Sequence, residues 1–205
     1  MAIRAHKLSG QRLCRAGLIL LGFTLLCWAE SGTAEANDAF DGYTFSLGVA
    51  DQNHAHEPVE DTYLGRIGIR QKWFTYGIRK DWHLRSFWEL GVGYWHWNDE
   101  DSEGGELAEF ALTPAFRLER INSTANGARA FVEAGVGLHL ISKTHVSSRD
   151  LSSKYHFGSH VGAGWYFGEK ERYEISVQVQ HLSNAGLEAP NPGINFGLLT
   201  FGIRP

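Results

Sequence analysis

From about residue 41 to residue 203 the chain repeats one pattern, in which bulky apolar residues alternate with small or charged ones at the period of two that an extended strand imposes. Trp88, Leu90, Val92 and Tyr94 stand opposite Glu89, Gly91, Gly93 and Trp95, and Val132, Ala134, Val136 and Leu138 stand opposite Glu133, Gly135, Gly137 and His139. Phe110, Leu112, Pro114 and Phe116 oppose Glu109, Thr113 and Arg117, and Ile67 and Ile69 oppose Arg66, Gly68 and Arg70. Eight segments carry the pattern, at about 41–50, 62–74, 85–98, 106–119, 128–141, 154–167, 173–183 and 194–203. No internal repeat or low-complexity linker divides them.

A soluble ligand-binding barrel turns its apolar face inward and rarely places so many glycines opposite Trp and Phe. A small membrane barrel inverts the arrangement: apolar residues meet lipid and a narrow lumen is filled by polar and small side chains. Aromatic residues gather at segment ends, Trp73, Phe74, Trp82, Trp165, Tyr166 and Phe167 at one rim and Tyr94, Trp95 and Trp97 at the other, as two interfacial girdles would require. The expected fold is all-β, an eight-stranded antiparallel transmembrane β-barrel in a bacterial outer membrane.

The N-terminus agrees with export. Arg4, Lys7, Arg12 and Arg15 precede an apolar run from Ala16 to Trp28 and a small-residue stretch ending Ser31-Gly-Thr-Ala34. Residues 1–34 therefore read as a signal peptide, with cleavage at Ala34 or Ala36. A lipoprotein signal is disfavoured because Cys27 follows Thr24-Leu25-Leu26 instead of small residues. Both cysteines, Cys14 and Cys27, leave with the signal, so the barrel (35–205) relies on no disulfide. Cleavage after Ala34 leaves 15 basic and 22 acidic groups, a net charge of −7 that disfavours nucleic acid as a partner. After the signal no apolar run is long enough for a spanning helix.

The chemistry concentrates in residues 181–195. His181 and Ser183 continue the apolar face of Ile175, Val177 and Val179, their Cα atoms about 6.5–7 Å apart, close enough for an imidazole to reach a hydroxyl. With both termini periplasmic, that pair lies at the outer end of the seventh strand, facing lipid. Ser183 is the expected nucleophile and His181 its general base. Asn184 and the backbone amides of Ala185 and Gly186 are the expected oxyanion donors. The blander account is a strand end running into an Asn/Gly/Pro turn.

These residues resemble the PagL-type lipid A deacylases. The likeness lies in His181-x-Ser183-Asn184-Ala185 followed by Pro190-Asn191-x-Gly193-Ile194, with His139-x-x-Ser142 echoing a second family pattern. The resemblance implies an eight-stranded outer-membrane barrel that hydrolyses the ester-linked 3-hydroxyacyl chain at the 3-position of lipid A through a lipid-facing Ser/His/acid site. It implies lipid A or lipopolysaccharide as the partner.

One departure matters. Aligned without gaps from Ser183, the family's glutamate falls on Asn195. An amide holds a histidine tautomer but does not stabilise an imidazolium as a carboxylate does. Three readings follow: Asn195 orients His181 at a reduced rate, Glu188 substitutes, or activity is lost. Asn195 is favoured because its strand follows that of His181.

Lys143, Arg149 and Lys154 in the third outer loop are expected to bind the lipid A phosphates. The lumenal charges and histidines read as a hydrogen-bonded filling. No cofactor or metal is indicated, since the histidines lack paired zinc-site spacing and no cysteine remains. A monomer and a homodimer are both compatible with the sequence. The alternative function is a non-catalytic small outer-membrane barrel, structural or adhesive.

Overall fold

The computed structural model describes residues 39–51, 61–99, 102–120 and 129–205. The expected signal peptide, 1–34, lies outside the described residues. The strands are β1 (Phe40–Ala50), β2 (Thr62–Arg79), β3 (Trp82–Asp99), β4 (Ser102–Arg120), β5 (Arg129–Ile141), β6 (His145–Val146), β7 (Arg149–Asp150), β8 (Tyr155–Phe167), β9 (Tyr173–Ser183) and β10 (Ile194–Ile203). Eight of them close into a barrel in the order β1-β10-β9-β8-β5-β4-β3-β2, while β6 and β7 form a small hairpin within the 142–153 loop. Neighbouring barrel strands are antiparallel throughout. Closure pairs the backbone polar groups between strands, which hydrocarbon surroundings demand.

The faces follow the alternation. Ile67, Ile69, Val92, Val136, Val161 and Val177 are exposed on the outer wall, and Arg66, Arg70, Glu109, Arg117, Glu133 and Glu174 are buried in the lumen. Within the barrel, Arg66 donates to both Glu109 carboxylate oxygens at 2.9 Å and to Gln180 Oε1 at 3.0 Å. Arg117 bridges Glu133 Oε2 (2.5 Å) and Glu174 Oε2 (2.7 Å), while Arg70 joins Glu89 (2.6 Å) and Glu174. Buried charges persist only when paired in this way. Glycines make the network fit: a Cβ at Gly158 would collide with the His139 imidazole, and one at Gly93 would meet Glu109 Oε2 at 2.5 Å.

Three features differ from expectation. The lumen is not polar throughout: at the end bearing the 142–153 and 184–193 loops it holds an apolar cluster that includes Leu64, Trp95, Val146, Leu151, Leu182, Ile194 and Phe196. Trp95 packs edge-on against Phe196 (centroids 4.7 Å apart) and donates its Nε1–H to Glu109 Oε2 at 3.0 Å, joining this cluster to the ionic layer. Trp95, Trp97 and Tyr166 are consequently buried and do not belong to the girdles. Each is an immediate neighbour of an exposed aromatic, Tyr94 or Trp165, or lies two residues on from one that points inward, so strand parity turns it to the lumen.

The β2–β3 hairpin is also longer than the sequence reading placed it, because only Lys80 and Asp81 separate the two strands. A register shift between Lys72 and Phe74 brings Trp73 and Phe74 to one outer face, where they pack with Trp88 (5.5 Å from Trp73) and Phe116 (6.3 Å from Phe74). A bulge of this kind re-aims side chains without breaking the strand.

Candidate active site

β9 carries the expected pair outward. Ser176, Gln180, Leu182 and Asn184 are buried, whereas Val177 and Val179 are exposed and His181 and Ser183 half-buried on the same outer face. β10 lies beside it in register, Asn195 opposite His181 and Gly197 opposite Val179. On the other flank Ser159 of β8 is paired with His181, and Phe157 with Ser183.

His181 Nδ1–H donates to Asn195 Oδ1 at 2.7 Å. An amide oxygen only accepts, so this bond puts a ring proton on Nδ1. The other ring nitrogen, Nε2, is turned from Asn195. Gly193 borders that part of the ring: a Cβ there would lie 2.8 Å from His181 Cε1 and 3.3 Å from Nε2.

The 184–193 turn is organised by Asn184, which is fully buried. Its Nδ2 donates to the Glu188 carbonyl at 2.9 Å, its Oδ1 accepts from the Gly186 N–H at 2.9 Å, and its own N–H donates to Asn191 Oδ1 at 3.0 Å. The side-chain amide of Asn184 and the N–H of Gly186 are thus engaged within the turn. Ala185, at φ 56°, sits between them and is exposed. Glu188 is exposed and enters the turn through its carbonyl oxygen; the residue bonded to His181 is Asn195.

The third outer loop divides. Lys143 and Lys154 are exposed, but Arg149 is fully buried and its Nη1 donates to the Gly193 carbonyl at 3.2 Å. This corrects its expected place among solvated phosphate ligands: the β6–β7 hairpin folds Arg149 beneath the turn that follows β9. Ser152 Oγ also donates to the Pro190 carbonyl, so the 142–153 and 184–193 loops are tied at two points. Arg149 and Gly193 were legible only in part. A Pro-Asn-Pro-Gly run signals a tight turn, but no local signal tells that a loop arginine is turned inward.

His139 and Ser142 make separate contacts. His139 is buried in the lumen, its Nδ1 2.5 Å from Glu109 Oε1, while Ser142 Oγ accepts from the Ala108 N–H at 2.9 Å and extends the β4–β5 pairing. No group of three or more potential metal ligands occurs among the described residues.

Comparison with known proteins places the barrel in a family. The family model described as lipid A 3-O-deacylase (PagL) matches residues 62–204. Lipid A deacylase PagL of Pseudomonas aeruginosa is 31% identical over 150 residues, 68% of this chain and 82% of that protein. The Bordetella bronchiseptica protein of the same name is 34% identical over 113 residues, 55% of this chain and 58% of that protein. The crystal structure of the outer membrane enzyme PagL superposes with a TM-score of 0.63 at 27% identity, covering 79% of this chain and 99% of that one. A closed eight-stranded barrel with an apolar outer wall, matched along most of its strands by these proteins, belongs to the lipid A 3-O-deacylase (PagL) family.

Proposed function

We propose that the protein is a lipid A 3-O-deacylase of the bacterial outer membrane, exported by residues 1–34 and acting as a serine-type ester hydrolase. Its substrate is lipid A in the outer leaflet, and its product the 3-hydroxy fatty acid released from the 3-position. The observation that carries this is the outward-facing His181, held by Asn195 at 2.7 Å and sharing its strand face with Ser183. A histidine and a serine turned toward hydrocarbon are costly and have little structural use there.

In the reaction Ser183 Oγ attacks the ester carbonyl carbon as its proton passes to His181 Nε2. The negative charge that develops on the carbonyl oxygen is met by the Ala185 N–H, while Asn184, bonded to the Gly186 N–H and to the Glu188 carbonyl, holds the turn that presents it. Collapse breaks the bond to the sugar 3-oxygen, which leaves with the proton from His181. Water then attacks the acyl-serine with His181 again as base, freeing the fatty acid and restoring Ser183. Asn195 keeps the tautomer correct throughout but brings no negative charge to the imidazolium. Lys143 and Lys154 flank the site and pair with lipid A phosphates.

Mass spectrometry of lipid A from cells expressing the wild type or Ser183→Ala tests this. The wild type removes one 3-hydroxyacyl mass and the variant does not. Fully acylated lipid A from both would reject the enzyme in favour of a non-catalytic barrel, the reading that the missing carboxylate at Asn195 supports.

A further inference from the structure

We infer that Arg149 and Gly193 are positioning residues for the His181 imidazole, a buried cation fixing the carbonyl of a glycine against which the catalytic ring rests. This depends on His181 being the base proposed above.

Three observations converge. Arg149 is 0% exposed, although it lies in an outer loop, and its Nη1 reaches the Gly193 carbonyl at 3.2 Å. Gly193 has φ +65°, a conformation that other residues rarely adopt, and a Cβ there would press on His181 Cε1 at 2.8 Å and on the Leu182 carbonyl at 2.9 Å. Val146 and Leu151, on either side of Arg149, are buried with Leu182 and Ile194, the residues next to His181 and Asn195 in the chain. The hairpin bearing Arg149 is thus anchored in the same apolar cluster as the strands bearing the site.

Desolvating a guanidinium is expensive, and an apolar side chain would fill the same space without that cost. An apolar side chain could not supply the directed hydrogen bond that the guanidinium makes to the Gly193 carbonyl. Gly193 connects the turn to β10, so holding its carbonyl fixes the Cα that borders the ring as well as the entry of the strand carrying Asn195. The imidazole is then confined on two sides, by Asn195 at Nδ1 and by Gly193 near Nε2. Neither Arg149 nor Gly193 touches the reacting atoms.

The test uses the purified full-length barrel in detergent with Arg149→Met, Arg149→Lys and Gly193→Ala. It measures kcat and KM on lipid A micelles and the rate at which a fluorophosphonate probe labels Ser183, which reports the Ser/His pair without lipid A. Arg149→Met and Gly193→Ala are expected to lower both kcat and labelling by roughly 10- to 100-fold, since a misplacement near 1 Å costs that order. KM should stay within about twofold, because lost positioning acts on the transition state and not on ground-state binding. Arg149→Lys should recover part of the loss by restoring one donor. Circular dichroism establishes that each variant is folded, and if Arg149→Met does not fold, Arg149→Lys and Gly193→Ala decide. Wild-type labelling and kcat in the folded variants would overturn the inference, as would a raised KM at unchanged kcat. Turnover by Ser183→Ala would instead overturn the functional reading itself.

Discussion

His181 and Asn195 are register partners across β9 and β10, and the Nδ1–H of one meets the Oδ1 of the other at 2.7 Å. The amide occupies the position where the resembled family carries glutamate, so geometry is kept while charge is lost. Replacing the acid by its amide in a serine protease costs about 10⁴, with a wrong tautomer as the cause. Here the amide oxygen faces Nδ1, so on the proposed mechanism the deficit lies in the missing charge.

Asn195→Glu should therefore raise kcat, by roughly 10- to 10³-fold, with KM little changed. Asn195→Leu should lower it by releasing the ring. Steady-state turnover of lipid A micelles measures both, and a slower Asn195→Glu enzyme would show that the amide does more than hold a tautomer.

Glu109 receives Arg66, Trp95 and His139 with its side chain sealed from solvent. Glu109→Leu leaves the Arg66 guanidinium without its carboxylate and should destabilise the barrel by about 3–5 kcal/mol. Urea unfolding in detergent micelles would register this as a lower midpoint. An unchanged midpoint would mean that water or Gln180 takes over the guanidinium.

On the outer wall Val177 is 60% exposed and lies midway along β9. Val177→Arg should cost about 2–4 kcal/mol of stability in a bilayer, as a cation near the midplane does. The same change in a soluble barrel would be nearly silent. Folding titrations into vesicles distinguish the two, and a silent substitution would argue against the membrane orientation.

Lys143 and Lys154 should act on substrate affinity and not on the chemical step. Their joint replacement by Ala is expected to raise KM for lipid A several-fold, each exposed charge pair being worth about 0.2–1 kcal/mol, with the difference shrinking at high salt. Kinetics at two ionic strengths would reveal it. A KM unmoved at low salt would remove both residues from the binding site.

The strand pattern told which residues face lipid because parity is a local property: Ile67, Val92, Val136 and Val177 need only their neighbours to be placed. The same parity put His181 and Ser183 outward and let Asn195 be read as the orienter. What could not be read depends on contacts between distant segments. Trp95 and Trp97 resemble girdle residues by type, yet their strand turns them onto Phe196 and the rest of the apolar cluster. Arg149 resembles a loop cation until the β6–β7 hairpin folds it under Gly193. Asn184 also bonds to Glu188 and Gly186, closing a turn whose geometry the sequence does not specify.

The apolar cluster at the end of the barrel bearing the site has a consequence for traffic. Leu64, Trp95, Leu182 and Phe196 fill the bore beside the wall on which His181 sits. On the proposed function, each water consumed in turnover comes down from the external medium along the rim, and the freed fatty acid slips sideways into the leaflet. The cylinder serves as a post, and all the commerce takes place on its outside.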